Sequence, residues 1–432
     1  MEASATLLIG TLVLLFAINI PVAFAIALST LVFLVVRGGI PIQTLVQRMV
    51  NGTDSFPLLA IPFFILAGEL MNRAGITRRL FKLASAMVGH ITGGLAHVNV
   101  VTNTLMAGMS GSSVADAAGT AKILVPVMVQ HGYGKPFSAA VTAAAATIAP
   151  VIPPSIGMII YAAISGASVG RLFLGGLVPG ILMCASMMTV AYIVSRRRGY
   201  GSYASAFSWR AVAVEFKESF LALLMPVIIL GGIRGGVFTA TEAAAVAAVY
   251  AGVVGIFAYR EIRPQDLLPI LTEAALGTAV IGLIMAAATP MGWILARERV
   301  PQMVTEMVTA STSDAVVILL SINLFLVVLG CFMDSVPIMV ILIPILMPIV
   351  TKIGYDPVQF GLVMIINLMV GGLTPPYGLL LFTVSGITKV PVLAVAREVL
   401  PFMGAIVLVL LLVTYVPGIV LFLPDLLMGA AR

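Results

Sequence analysis

The sequence predicts an all-α polytopic membrane protein of two repeats, each holding a re-entrant helical hairpin and a helix broken at a Pro-Pro pair. Three observations predict it. The 432 residues are 61% hydrophobic and only 9% charged, with a mean hydropathy of +1.16, whereas soluble domains carry about 25% charged residues. Apolar blocks of about 20 residues, the length that crosses a bilayer core as a helix, recur along the chain. Finally, Ile148–Gly157 (IAPVIPPSIG) is answered by Gly371–Gly378 (GGLTPPYG), with Pro153 and Pro154 standing 222 positions before Pro375 and Pro376. The same offset carries Pro126 onto Pro348, Gly132 onto Gly354, Tyr133 onto Tyr355 and Pro179 onto Pro401, and Ile123–Pro154 overlies Ile345–Pro376 without a gap.

The breaks are where chemistry is expected. Proline has no amide hydrogen, so the carbonyls of Ala149 and Pro150, and of Gly371 and Gly372, lose their helical partners. Bare carbonyls at membrane depth persist only inside protein or beside a wet cavity. Ala149, Ile152, Gly371 and Thr374 thus offer hard oxygen donors for a small cation, as half-helix ends do in transporters. A plain proline kink is the simpler alternative; recurrence in both repeats favours a site.

Ser110, Gly111, Ser112, Ser113 and Asp116 lie in GMSGSSVADAAGTAK, a run too small and polar to face lipid, and form the expected tip of the first hairpin. Hydroxyls and a carboxylate there complete a cation shell or hold a polar solute. Close packing of small residues accounts for the serines and glycines but not for an ionisable Asp116. The matching region of the second repeat holds Gly330, Asp334 and Ser335, and Asp334 reads as a second buried acid. Asn103 and Asn367, also at membrane depth, orient the hairpins or touch the solute.

Taken in order, Ala5–Val36 reads as retained membrane helix rather than a signal peptide, with Asn19-Ile20-Pro21 as either a kink or a turn. Phe56–Met71 is a span, and the basic Asn72–Lys82 lies along the membrane surface. The first half, 1–205, holds a hairpin at about 95–130 and a broken helix at about 137–166, and Leu172–Ser195 closes it. Arg196–Lys217 separates the halves. In the second half, 206–432, the spans Leu221–Leu230 and Ala243–Phe257 flank a connection where Thr241 caps the following helix, with Glu242 near its positive end. Ile270–Leu295 and Val316–Gly330 follow, then a hairpin at about 325–351, a broken helix at about 358–387 and the last span, Phe402–Phe422. The whole chain, 1–432, is one integral membrane domain.

Repeats inserted in opposite senses bring their broken helices together near the midplane. The crossing count leaves inverted and parallel repeats open; the inverted arrangement is carried forward as the expectation.

Other classes fare worse. The net charge of +6 does not mark a nucleic-acid face, because the basic residues cluster in short connections (Arg73, Arg78, Arg79 and Lys82; Arg196, Arg197 and Arg198; Arg260 and Arg263). Such clusters place those connections in the cytoplasm. Gly108-Met109-Ser110-Gly111 fits an intramembrane serine protease, but the only later histidine, His131, sits in a polar loop. No phosphate loop, HExxH or CxxC motif is present, and Cys184 and Cys331 read as inert buried thiols. Lys122 and Arg171 read as snorkelling cations.

Gly108–Ala117 (GMSGSSVADA), Pro150–Gly157 (PVIPPSIG), Leu174–Gly180 (LGGLVPG), Thr239–Ala244 (TATEAA) and Gly371–Gly378 resemble the large membrane subunit of the tripartite ATP-independent periplasmic (TRAP) transporters, over essentially the whole chain. The resemblance implies a multi-pass protein of the bacterial inner membrane, with a scaffold and a mobile transport domain that moves as an elevator. It implies import of an organic anion such as a dicarboxylate, sialic acid or sugar acid, coupled to sodium ions. Expected partners are a periplasmic substrate-binding protein, a separate small four-helix membrane subunit and the surrounding lipid. By motif, one sodium site would use Ser110, Ser113, Ala149, Ile152 and Pro154. The other would use Gly330, Asp334, Gly371, Thr374 and Tyr377, and substrate would lie near Asn103, Ser112, Asp116 and Ser155. A stand-alone sodium-coupled carboxylate carrier or ion antiporter of the same architecture is the nearest rival.

Overall fold

Asn19, with φ at 62°, turns the first apolar block back on itself. The helices Ala3–Ala17 and Val22–Arg37 pack against each other, so Asn19-Ile20-Pro21 is a turn, not a kink. The structure, a computed structural model, describes residues 3–204, 206–312 and 314–429, and all regular structure among these is helical. Among the described residues, seven helical segments are long and apolar enough to cross a membrane.

The repeat reaches well beyond the prolines. Ser113–Gln130 and Ser335–Lys352 are related by the 222-residue offset at both ends. Lys135–Ala146 and Ile156–Ser165, the halves of the first broken helix, answer to Pro357–Gly372 and Leu379–Thr388. Gly94–Ser110 answers to Ala315–Gly330. Here one expectation is corrected: residues 316–330, read as a separate span, are the first arm of the second hairpin, which begins ten residues before the predicted start. At 16 residues the arm is about 24 Å long, short of a ~30 Å hydrocarbon core.

Contacts at the two ends of Val169–Arg198 decide the sense of the repeats. This helix has 30 residues and is therefore about 45 Å long, enough to span the membrane. At its C-terminal end, Tyr200 Oη accepts from the Gly134 amide at 3.0 Å, and Tyr133 Oη donates to Gly201 O at 3.3 Å, at the base of the first hairpin. At its N-terminal end, Leu172 lies against Gly361, one turn from the base of the second. The hairpins therefore enter from opposite faces and the repeats are inverted. Each hairpin's second arm packs on the half-helix beyond the other repeat's break, which ties the halves into one body.

The basic connections gather on one face. In Ile76–Val88, residues Ile76, Thr77, Leu80, Leu83 and Ala84 are buried on one side. Arg79 pairs with Glu261 at 2.9 Å and lies 4.0 Å over the Tyr259 ring. Gly89 O, just past the helix, accepts from the amides of Tyr203 and Ala204. The helix thus runs along the face that carries Arg196, Arg197 and Arg198, which positive-inside bias assigns to the cytoplasm. A second correction concerns the cap of Ala240–Val253. Thr239, not Thr241, is the N-cap, closing a box in which the Glu242 carboxylate accepts from the Thr239 amide at 2.7 Å. Thr241 Oγ1 instead donates to Phe56 O at 2.9 Å.

Tyr161 is fully buried, and its hydroxyl donates to Pro357 O at 2.6 Å, linking the first broken helix to the base of the second hairpin. Tyr161→Phe removes that tie while the carbonyl keeps its place in the helix Pro357–Gly372. Thermal unfolding of the purified protein should show a loss of about 1–2 kcal/mol, and an unchanged midpoint would remove this link from the account.

Candidate functional site

Both hairpin tips and the first break meet around a cavity of about 230 Å³. Its polar wall is Ser112, Ser113, Asp334 and Ser335; its apolar wall is Ile281, Val336, Met339, Ile365 and Met369; Pro150 and Gly157 come from the break. Three helices begin here, each with its N-cap side chain engaged. Ser112 accepts from the Ala115 amide at 3.4 Å, Ser155 from Met158 at 3.2 Å and Asp334 from Ser335 at 2.6 Å. The positive ends of three helix dipoles thus converge where, among the described residues, no Lys or Arg lines the wall, a setting that favours an anion.

Glycines let each tip sit on the break of its own repeat. Gly111 has φ of 60°, and a Cβ there would stand 2.4 Å from Pro154 O. A Cβ on Gly371 would stand 2.5 Å from Gly330 Cα. The Tyr377 amide donates to Cys331 O at 3.2 Å, locking the second tip to the second break. These approaches bring Gly111, Pro154 and Ser155 together in one repeat and Gly330, Gly371 and Tyr377 together in the other.

The carbonyls at the breaks are largely free. Among the described residues, none of those from Ala149 to Pro154 accepts a hydrogen bond, although Ala149, Pro150, Val151, Pro153 and Pro154 are buried. In the second break Gly371 O is taken by the Thr374 amide at 2.9 Å, because the chain leaves the helix through a tight turn. The carbonyls of Gly372, Leu373 and Thr374 accept none. The freed carbonyls are therefore Gly372 and those after it, not Gly371. Pro375, Pro376 and Tyr377 are exposed, so the second break is open where the first is closed.

Two acids behave differently from each other. Asp116 is fully buried and neither carboxylate oxygen completes a hydrogen bond, although Ser110 lies near it. Asp334, expected to be buried, has an accessible side chain beside the cavity and caps the second arm. Asp334→Ala should cost about 1 kcal/mol of stability, the usual value of a cap, and Asp334→Asn should retain it in the same melting experiment.

Ser112, Ser113 and Asp334 line the cavity; Ser110, Asn103, Asp116 and Ser155 stand behind its wall. Asn103 braces the first hairpin, donating to Asn99 O and Oδ1 at 3.0 and 2.9 Å and accepting from Thr120 Oγ1 at 3.3 Å. Asn99 continues the seam to Thr142 at 2.7 Å. Asn367, on the second broken helix, donates to Asn323 O and Oδ1 at 3.0 Å each and ties that helix to the first arm of the second hairpin, as Asn99 and Thr142 do in the first repeat. Asn99 and Thr120 were not singled out from sequence, although their spacing to Asn103 and Asp116, one helical turn each, is a usable signal. The apolar wall carried no signal, since methionine and isoleucine occur throughout the spans.

Hydrolytic chemistry has no geometry here. His131 Nδ1 lies 2.8 Å from Val127 O at the base of the first hairpin, an 18-residue arm away from Ser110, about 27 Å. Two inverted repeats with hairpin tips and broken helices meeting at one cavity define a membrane transporter rather than an enzyme.

Residues 9–419 match the family model described as "Tripartite ATP-independent periplasmic transporter, DctM component", and the chain belongs to this family. It is 43% identical over 420 residues to the sialic acid TRAP transporter large permease protein SiaM of Vibrio cholerae, covering 97% of this chain and 98% of that one. It is 40% identical over 415 residues to the isethionate TRAP transporter permease protein DctMQ of Oleidesulfovibrio alaskensis, covering 96% of this chain and 65% of that one. Among solved structures, the YdaH transporter of Alcanivorax borkumensis shares the fold with a TM-score of 0.60 at 14% identity, over 87% of each chain. The protein is a multi-pass TRAP permease of the bacterial inner membrane.

Proposed function

We propose that the chain is the large permease of a sodium-coupled importer of an organic anion. The observation that carries this is the convergence of three helix N-termini on a cavity with no basic side chain, beside buried carbonyls with no hydrogen-bond partner. Helix ends suit the anion, and the free carbonyls suit small cations, which supply the positive charge that the wall lacks. Relatives named for sialic acid and isethionate, both organic anions, support the substrate class.

The first sodium site takes Ala149, Ile152 and Pro154 through their carbonyls, with Ser110 and Ser113 from the tip. The second takes Gly330, Thr374 and Tyr377, with Gly371 through the lone pair its carbonyl keeps beside the Thr374 amide and Asp334 at its open side. The anion lies against Ser112 and the Ser155 helix end, with Asp116 and Asn103 setting the first tip. The hairpins and broken helices move together against the remaining helices, as an elevator. Substrate arrives on a periplasmic binding protein, and a small membrane subunit completes the scaffold.

Proteoliposomes holding this chain and its small partner subunit test the proposal. Uptake of a candidate organic acid should require both an inward sodium gradient and the binding protein. Sodium-driven uptake without the binding protein would instead establish a stand-alone carrier.

A further inference from the structure

A second cavity, of about 450 Å³, lies between the N-terminal helix, the end of Pro264–Arg297, the short helix Val300–Ser311 and both arms of the second hairpin. Leu12, Leu295, Val304, Ile318, Ile345 and Ile349 are among its walls. Its one hydroxyl, on Ser321, is already spent on Val317 O at 2.8 Å. Water needs two to four polar partners, and an apolar cavity of about 150 Å³ already takes up benzene instead. The space calls for a hydrocarbon occupant.

The short helix shows what such an occupant carries at its other end. Val300, Val304 and Val308 border the apolar cavity; Arg299, Gln302 and Glu306, from the same helix, border a polar crevice with Arg37, Arg297 and Glu298. The helix therefore lies where hydrocarbon gives way to water. Trp293, with the guanidinium carbons of Arg48 and Arg297 at 4.1 and 5.5 Å from its ring centre, marks the same level, as interfacial tryptophans do. Among the described residues of the crevice, three guanidiniums outnumber two carboxylates. Arg37 approaches Glu298 at 3.9 Å, whereas Arg297 and Arg299 form no ion pair among the described residues.

We propose that an anionic phospholipid binds here, with one acyl chain in the apolar cavity and its phosphate on Arg297 and Arg299. The guanidinium fork matches a phosphate in two hydrogen bonds, and basic pockets between membrane helices hold anionic headgroups. The site is separate from the transport cavity. Met339 lines the latter, while Ile341 and Leu342 on the same arm line the lipid site.

Photolabelling of the full-length protein in phosphatidylcholine nanodiscs tests this, with diazirine-tailed phosphatidylglycerol or diazirine-tailed phosphatidylcholine as the probe. Adducts of the anionic probe should concentrate on residues 300–308 and 318–349, relative to the exposed, lipid-facing Leu276 and Val280. They should exceed those of the neutral probe about thirtyfold, the effect of two basic residues on an anionic lipid. R297Q/R299Q should erase that preference. V304F/I345F, which fills the cavity, should remove the adducts while labelling at Leu276 and Val280 persists and reports an intact fold. Equal labelling by the two probes, or adducts no denser than at Leu276 and Val280, would overturn the proposal.

Discussion

Gly371→Ala is expected to reduce uptake about a hundredfold, the cost of displacing a reacting group by about 1 Å, while Gly372→Ala leaves it within about twofold. The two glycines are neighbours in one buried helix end, yet their surroundings differ. A Cβ at Gly371 would meet Gly330 Cα at 2.5 Å and its carbonyl carbon at 2.7 Å. Both are backbone atoms, so no rotamer change relieves the clash, and the second tip must move off the second break. At Gly372 the nearest atom is Leu380 Cδ1 at 3.8 Å, an ordinary contact. Overpacking of this kind costs about 1–3 kcal/mol, which a domain of this size survives, so the variant should still reach the membrane. Initial uptake rates, normalised to the amount of protein in the vesicles, separate the cases. Equal rates for the two variants would mean that the tip–break contact does not position the site.

Asp116→Asn should have the opposite signature in stability. A buried carboxylate whose two oxygens lack partners opposes folding, because a charge or unpaired acceptor in a low-dielectric interior is costly. Replacing it with the isosteric amide removes the buried charge, which should raise stability by about 1–3 kcal/mol and lower uptake at least about tenfold. A residue that stabilises when removed and disables when removed is retained for function. Thermal unfolding and uptake on the same preparation check both halves. A destabilised variant with normal uptake would make Asp116 a structural acid and remove it from the site.

The Pro-Pro pairs made the fold legible, because each leaves a mark at membrane depth and the marks recur at one offset. The polar run from Gly108 to Lys122 made the first hairpin legible for the same reason. The second hairpin was harder to delimit. Its first arm, AVVILLSINLFLVVLG, is apolar throughout, and hydropathy does not distinguish an arm buried in protein from a span facing lipid. The sense of the repeats was not legible, because orientation is a property of which ends meet; it emerged from Tyr133 with Tyr200 at one end and Leu172 with Gly361 at the other. Thr239 and Thr241 both precede a helix beside Glu242, and only the backbone geometry selects the cap. Asp334 was expected to be buried because it lies in the second repeat's counterpart of the Asp116 region, but as a cap at a hairpin tip it projects into the open. The candidate site was legible at its tips and breaks and not in its apolar wall, where Met339, Ile365 and Met369 look like any other membrane-core residues.

Sodium-dependent stabilisation of the purified permease tests the central claim, that two hairpins and two broken helices form a cation-coupled site. Thermal unfolding would be followed in sodium chloride and in choline chloride at equal ionic strength. Sodium should raise stability by an amount that grows with its concentration, reaching about 2.7 kcal/mol at a hundred times the dissociation constant, and Gly371→Ala should lose most of this increment. Superimposable curves in sodium and choline across the whole range would contradict the account.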